Sequence, residues 1–90
     1  MSSVIRLKVT NGDGIHARTA AMLINVVNKY KVQADIKYKD EKVNLKHLID
    51  VIALSINFGS EVEIIIDGDE ASLCINELSS VIENNVGEII

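Results

Sequence analysis

Short stretches in which apolar and polar residues alternate are the feature that most restricts how this chain of 90 residues can fold. The alternation recurs in three separate stretches, 4–9, 32–38 and 62–66. Every second side chain is apolar in each of them, which is typical of a strand with one buried and one solvated face. A shorter stretch, 42–44, predicts a further strand beside the second one. The pattern therefore predicts a four-stranded sheet that is covered on one side only.

Between these strands, apolar residues recur at every third or fourth position, which indicates helices that bury one face. The predicted helices cover residues 17–30, about 44–53, and a last segment with apolar positions over 71–82. The order β-α-β-β-α-β-α combines two β-α-β crossovers with a hairpin. We therefore predict an α+β fold, a largely antiparallel four-stranded sheet with three helices on one face. Residues 1–90 are predicted to form one domain, and residues 87–90 match neither pattern.

Composition and charge exclude several classes of function. The net charge is −4, which disfavours binding to a phosphate backbone, so we expect no nucleic-acid partner. No stretch approaches the roughly 18 apolar residues of a membrane-spanning helix, so we expect no membrane insertion. Cys74 is the only cysteine and no signal-peptide pattern is visible, which together predict a cytoplasmic protein. Residues 1–45 hold eight Lys/Arg against four Asp/Glu, so an anion site is expected in that half.

The stretch Gly14-Ile15-His16-Ala17-Arg18 places a histidine where a glycine-containing loop meets the start of the first predicted helix. The first N–H groups of a helix lack intrahelical acceptors and, with the helix dipole, favour an anion. Arg18 adds a positive charge whose planar geometry suits phosphate oxygens. A histidine at this junction could carry a phosphoryl group on a ring nitrogen. The residues alone leave open the alternative of a surface or capping histidine.

Other chemistry has less support in the sequence. His16 and His47 are the only histidines, and Cys74 lies on the apolar stripe of the last predicted helix, so no metal site is predicted. No spacing of the Ser-His-Asp or Cys-His kind is visible, which argues against a nucleophilic enzyme.

The stretch from Gly14 to Arg18 resembles the active-site signature of the histidine-containing phosphocarrier protein family, HPr, of the phosphoenolpyruvate-dependent sugar phosphotransferase system. The similarity extends over residues 4–84 and includes the segments 42–46 and 68–71 that precede the second and third helices. It implies the open-faced β-sandwich of that family, with His16 as the phosphohistidine through its δ nitrogen and Arg18 as its electrostatic partner. The backbone of Ala17 and Arg18 would contact the phosphoryl group.

The same resemblance implies a carrier rather than an enzyme. In the family, the histidine accepts a phosphoryl group from phospho-enzyme I and passes it to a sugar-specific enzyme IIA. We expect a monomer that needs no cofactor of its own. The alternative is a regulatory module on the same fold, which docks an enzyme or a transcription regulator without a main role in sugar transport.

The sequence departs from the family pattern at three positions. Thr19 replaces the usual proline, His47 replaces a serine that is phosphorylated in many relatives, and Asp50 replaces a glycine. The first change loses the rigidity of proline and gains an N–H and a hydroxyl. The second removes the hydroxyl that a serine kinase needs, so His47 is expected to have a structural or partner-contact role rather than to accept phosphate.

Family members dock their partners through exposed apolar residues of the short second helix. We therefore expect at least two of Leu48, Ile49 and Ile52 to be exposed near His16. The residues expected to contact partners are Thr19, His47, Leu48, Ile49 and Ile52.

Overall fold

The sheet of this chain has five strands, all antiparallel, and the computed structural model describes residues 2–90. The strands are β1 (Ser2–Val9), β2 (Gln33–Tyr38), β3 (Glu41–Asn44), β4 (Glu61–Asp67) and β5 (Gly87–Ile89). Their order across the sheet is β3-β2-β4-β1-β5. The helices are α1 (Ala17–Val27), α2 (Leu48–Ala53) and α3 (Ala71–Asn85). The predicted α+β architecture, with an open sheet and three helices, is confirmed.

The alternating residues give the sheet its two faces. In β1, the side chains of Ile5, Leu7 and Val9 are buried, whereas Arg6 and Lys8 between them are exposed. Ile64 of β4 lies opposite Ile5 on one side and opposite Ile36 of β2 on the other. A row of branched side chains therefore runs across the sheet beneath the helices, where each buried side chain stabilises the fold by about 1.5–3 kcal/mol.

The helices complete the core from one side of the sheet. Leu23 and Val27 of α1, and Leu78 and Ile82 of α3, are buried at the spacing of a single helical face. Cys74 lies on the same face of α3, and burial raises the pKa of its thiol. Because a protonated, buried thiol is a poor nucleophile, Cys74 serves as a small core residue. None of the helices in residues 2–90 has the length and apolar character needed to cross a membrane.

The fifth strand was not among the four that the alternation predicts. Residues 87–89 pair with β1, so that Val9 lies opposite Gly87 and Leu7 opposite Ile89. Three residues are too few to display a period of two, which is why the pattern does not reveal this strand. A Cβ atom on Gly87 would lie 2.0 Å from the carbonyl oxygen of Lys8, so this close pairing requires glycine.

Two helices are shorter than the sequence predicts. α1 ends at Val27, and the hydroxyl of Tyr30 beyond it donates a hydrogen bond to Oε1 of Glu77, at 2.6 Å. α2 begins only at Leu48, because Oδ1 of Asn44 accepts the N–H of Lys46 at 2.8 Å in a turn before the helix.

Glu77 joins α3 to the end of α1 and gives the stability a predictable pH dependence. Bonds from the Lys29 ammonium and the Tyr30 hydroxyl lower the pKa of Glu77 below its usual value. A lowered folded-state pKa adds stability above the unfolded value, near pH 4.3, and this is lost as the pH falls through the folded value. We expect Glu77→Gln to flatten the acid side of the stability curve measured by urea unfolding. Glu83→Gln, at an exposed position of α3, is the control, and equal flattening in both would contradict the account.

Candidate functional site

His16 caps the N-terminus of α1. Its backbone is extended, with φ −111° and ψ −174°, and the helix follows directly with Ala17. Nδ1 of its ring accepts a hydrogen bond from the backbone N–H of Arg18 at 3.3 Å. The ring is thereby held against the end of the helix where N–H groups lack intrahelical acceptors.

The two ring nitrogens of His16 lie in different surroundings. Nδ1 accepts a hydrogen bond, so it carries a lone pair, and in the neutral ring the hydrogen resides on Nε2. Nε2 is buried, and within residues 2–90 it is the one buried side-chain polar atom without a hydrogen-bond partner. Burying such a donor costs about 1–3 kcal/mol, which points to a functional role for the ring. Nδ1 thus holds the lone pair that can attack an electrophile once the hydrogen bond from Arg18 is released.

Thr19 completes a reciprocal cap with His16. The backbone N–H of His16 donates to Oγ1 of Thr19 at 3.0 Å, and that hydroxyl donates to the carbonyl oxygen of His16 at 3.2 Å. The side chain of Thr19 is only 1% exposed. The expectation that Thr19 contacts a partner is therefore wrong, because almost all of its surface is buried by the core and by the capping contacts with His16. Its hydroxyl instead orients the backbone of His16, at the position where the family pattern has proline.

The loop before His16 is fixed against the segment that follows α2. The N–H of Ile15 donates to the carbonyl oxygen of Ile56 at 2.9 Å, and the N–H of Gly14 donates to that of Asn11 at 2.9 Å. Gly14 has a φ of +71°, and a Cβ atom there would lie 2.2 Å from the Ile56 oxygen. Only glycine combines this conformation with this close approach, so the position of His16 depends on Gly14.

The electrostatic surroundings of His16 favour a bound anion. The first turn of α1 contains no acidic residue, and Arg18 lies in it with an exposed side chain. The N–H groups of Ala17 and Arg18 belong to that turn and point toward the N-terminal end of the helix. Structure and expectation agree in bringing His16, Ala17 and Arg18 together at one end of α1.

The short helix α2 packs on α1 and exposes part of its apolar surface. Ile49 is 75% exposed, whereas Leu48 and Ile52 are half-buried, with Leu48 packed against the core. The expectation that at least two of the three are exposed is therefore wrong, because only Ile49 is exposed, although none of the three is fully buried. His47, the N-cap of α2, is exposed, and its Nδ1 lies 3.4 Å from Oδ2 of Asp50. The imidazole and the carboxylate form a polar border to the apolar surface of Ile49.

Phe58 is an exposed apolar residue beside the loop that sequence reasoning did not single out. It is 64% exposed and follows Ile56 and Asn57, whose backbones contact Gly14. On its other side, the N–H of Gly59 donates to the carbonyl oxygen of Val9 at 2.8 Å. The one signal in the sequence is a lone phenylalanine among turn-forming residues.

No second chemical site competes with this one in the described part of the chain. No group of three or more His, Cys, Asp or Glu side chains within residues 2–90 could hold a metal ion. A depression of about 300 Å³ lies on the open face of the sheet, among Arg6, Lys37, Lys39, Glu61 and Glu63. Opposite charges pair there, as in the 2.8 Å contact between Nε of Arg6 and Oε2 of Glu63.

Comparison with known proteins agrees with this geometry. Residues 4–84 match the family model described as the PTS HPr component phosphorylation site. A phosphocarrier protein HPr of Xylella fastidiosa strain Temecula1 is 32% identical over 82 residues, covering 91% of this chain and 92% of that protein. A multiphosphoryl transfer protein of Haemophilus influenzae strain Rd is 32% identical over 83 residues, which are 89% of this chain and 17% of that much longer protein.

A solved structure gives the same result for the fold. A histidine-containing phosphocarrier protein of Mycoplasma superimposes with a TM-score of 0.86 at 27% identity, covering 91% of this chain and 93% of that one. The resemblance inferred from the sequence is thus confirmed over both the matched residues and the three-dimensional structure. The chain belongs to the HPr family, the phosphocarrier component of the phosphotransferase system.

Proposed function

We propose that this chain accepts a phosphoryl group on Nδ1 of His16 from phospho-enzyme I and passes it to a sugar-specific enzyme IIA. The observation that carries the proposal is the unequal surroundings of the two ring nitrogens. Nδ1 faces the first N–H groups of α1, where an anion is stabilised, whereas Nε2 is buried.

The transfer needs no proton to leave His16 before the attack. The hydrogen bond from the Arg18 N–H to Nδ1 breaks first, which frees the lone pair of Nδ1. That lone pair forms a bond to phosphorus, the bond from phosphorus to the donor atom breaks, and that electron pair leaves with the donor. The hydrogen on Nε2 stays in place. The reverse exchange, with the acceptor atom of enzyme IIA as nucleophile, releases the phosphoryl group and restores the neutral ring.

The phosphoryl oxygens would be held by groups already in place. The N–H of Arg18, which now donates to Nδ1 at 3.3 Å, and the N–H of Ala17 lie at the same helix end. Arg18 adds its guanidinium from an exposed and adjustable side chain. The bond to phosphorus must remain easy to break, so we infer modest stabilisation rather than a deep anion pocket.

The partners supply the rest of the chemistry in this proposal. The chain acts as a monomeric, cytoplasmic carrier and not as a self-contained catalyst, with no cofactor of its own. The docking surface is proposed to consist of Ile49 together with the half-buried Leu48 and Ile52, bordered by His47. Phe58, which is exposed and follows the segment that approaches Gly14, is proposed as a further apolar contact for a partner.

Arg18 is expected to act on transfer more than on stability. Arg18→Ala should slow phosphoryl transfer roughly tenfold, because one charged donor to the phosphoryl oxygens is lost. The free energy of unfolding should fall by only about 0–1 kcal/mol, since an exposed arginine adds little to folding. Quenched-flow assays measure the rate of phosphoryl transfer, and urea unfolding measures the free energy of unfolding. Arg18→Lys keeps the charge but lacks the planar guanidinium, so its transfer rate should lie between those of the wild type and Arg18→Ala. A variant that loses stability but keeps its transfer rate would contradict this role.

Ile49 is expected to contribute to partner binding. Ile49→Ser should raise the Kd for enzyme I about tenfold, as loss of an apolar anchor costs about 1–2 kcal/mol. Stability should change by less than about 0.5 kcal/mol, because the side chain is exposed in the free protein. Leu73→Ser is the matched control, since Leu73 is also exposed but lies on α3. Equal weakening by both substitutions in titration calorimetry would remove α2 as the docking helix.

A regulatory module remains the alternative function, and one observation favours it. His47 and Asp50 both depart from the family pattern, and they pair at 3.4 Å on the exposed side of α2, so the docking helix differs from that of a standard carrier. Reconstitution of the relay distinguishes the two functions. We expect phosphate from phosphoenolpyruvate to reach this chain through enzyme I and then an enzyme IIA. A phosphorylated chain that passes phosphate to no enzyme IIA, but binds a regulator, would favour the alternative.

A further inference from the structure

The end of α3 holds the base of the loop that carries His16. The carbonyl oxygen of Val86 accepts two hydrogen bonds, from the N–H of Thr10 at 3.0 Å and from that of Asn11 at 3.1 Å. Both lone pairs of this oxygen are therefore occupied by the two residues that follow β1. Val86 is itself fixed, because its side chain is buried and its N–H donates to the carbonyl oxygen of Ile82 at 2.8 Å.

β5 keeps this carbonyl in position. Gly87 pairs with Val9, one residue before Thr10, and the N–H of Ile90 donates to the carbonyl oxygen of Arg6 at 2.9 Å. These contacts tie residues 87–90 to β1. β5 lies beyond residues 4–84, over which the family model matches.

Continuous contacts link this anchor to the phosphoryl site. Asn11, held by Val86, accepts the N–H of Gly14 through its own carbonyl oxygen at 2.9 Å. The next residue, Ile15, is held by Ile56, and His16 follows it. We infer that the Val86 carbonyl and β5 are a positioning device for His16, which fixes the loop so that Nδ1 faces the helix end. The inference rests on the proposed function, because positioning matters through the transfer that it serves.

Two glycine substitutions of equal chemistry test the inference. Gly87→Ala places a Cβ atom 2.0 Å from the Lys8 oxygen, so β5 must move and carry the Val86 carbonyl away from Thr10 and Asn11. Gly68→Ala is the control, with a Cβ atom 2.5 Å from the Lys31 oxygen and, in addition, backbone strain from a φ of +142°. Gly68 follows the end of β4 that pairs with Ser2, the far end of β1 from the His16 loop. Both variants are compared at a temperature where circular dichroism shows them folded.

Two readouts are expected to separate the variants. Amide hydrogen exchange at Thr10 and Asn11 should become faster in Gly87→Ala but not in Gly68→Ala, and the ring nitrogen resonances of His16 should shift only in the former. Phosphoryl transfer from enzyme I should slow on the order of tenfold to a hundredfold in Gly87→Ala at an unchanged KM, since small displacements of a reacting atom have effects of this size.

Specific results would overturn the inference. Protected amides at Thr10 and Asn11 in Gly87→Ala, or equal transfer rates in the two folded variants, would show that β5 does not position His16. If Gly87→Ala does not fold, Ile90→Pro removes the bond to Arg6 without a new clash at Gly87, and the same two readouts decide. A wild-type chain that takes up no phosphate would refute the proposed function, whereas the amide exchange would still decide the role of the loop anchor.

Discussion

Replacement of His16 by asparagine is expected to abolish phosphate uptake and leave the fold intact. Asparagine is among the best N-cap residues, so its side chain can take over the acceptor role of Nδ1 toward Arg18. It also removes the buried Nε2 donor that lacks a partner. The free energy of unfolding should therefore change by less than about 1 kcal/mol. An amide has no nucleophilic lone pair on its nitrogen, so no acid-labile phosphate should form.

The control for this experiment is His47→Asn, which changes the second histidine in the same way. His47 makes no capping bond to α2 and lies exposed beside Asp50. We expect it to leave phosphate incorporation intact, with an effect on partner affinity only. Acid-labile phosphate that persists in His16→Asn and disappears in His47→Asn would reverse the assignment of the two histidines.

Gly14→Ala is expected to be the most damaging single methyl addition in the loop. Gly14 has a φ of +71°, and the added Cβ would lie 2.2 Å from the Ile56 oxygen and 2.9 Å from Cα of Asn57. The strained backbone and the forced displacement each cost about 1–3 kcal/mol, so urea unfolding should show a loss of about 2–6 kcal/mol. Transfer should also slow, because the loop that carries His16 must move.

Gly12→Ala offers a matched control two residues away. A Cβ atom on Gly12 meets no atom within 4 Å, so the substitution adds the same methyl group to open space. We expect a stability change within about 0.5 kcal/mol. Similar losses for Gly12→Ala and Gly14→Ala would mean that general loop stiffness, and not the approach to Ile56, explains the requirement for glycine.

The sheet could be predicted because each long strand faces the core on one side and solvent on the other. This arrangement makes every second residue of the strand apolar, as Ile5 and Leu7 show. The strands can therefore be recognised in the sequence before any tertiary contact is known. β5 escaped prediction for the opposite reason. Its pairing depends on Gly87 meeting Lys8, a contact between residues far apart in sequence, and its three residues carry no period.

The site could be predicted only in part. Glycine, histidine and arginine at their observed spacing place His16 and Arg18 correctly at a helix start. The burial of Thr19 could not be read from its sequence position, because it depends on how α1 packs on the sheet. The family resemblance implies the δ nitrogen of His16, and the packed structure supplies a physical reason, since Nε2 is buried while Nδ1 holds its lone pair at the helix end.

The exposure of α2 was overestimated from its spacing. Leu48, Ile49 and Ile52 lie close together on a helix of six residues, and such a short helix cannot turn all three away from the core. Leu48 packs against the core while Ile49 stays exposed. An apolar pattern in a short helix therefore identifies a candidate docking surface without showing which of its members is accessible.

The most direct test of the account is the location of the phosphoryl group on the wild-type chain. The protein, labelled with ¹⁵N in its histidine rings, is incubated with enzyme I and phosphoenolpyruvate and examined by ¹⁵N and ³¹P NMR. The account predicts one phosphoryl group per chain, bonded to Nδ1 of His16. Phosphate on Nε2, on His47, or on no residue of the chain would contradict it.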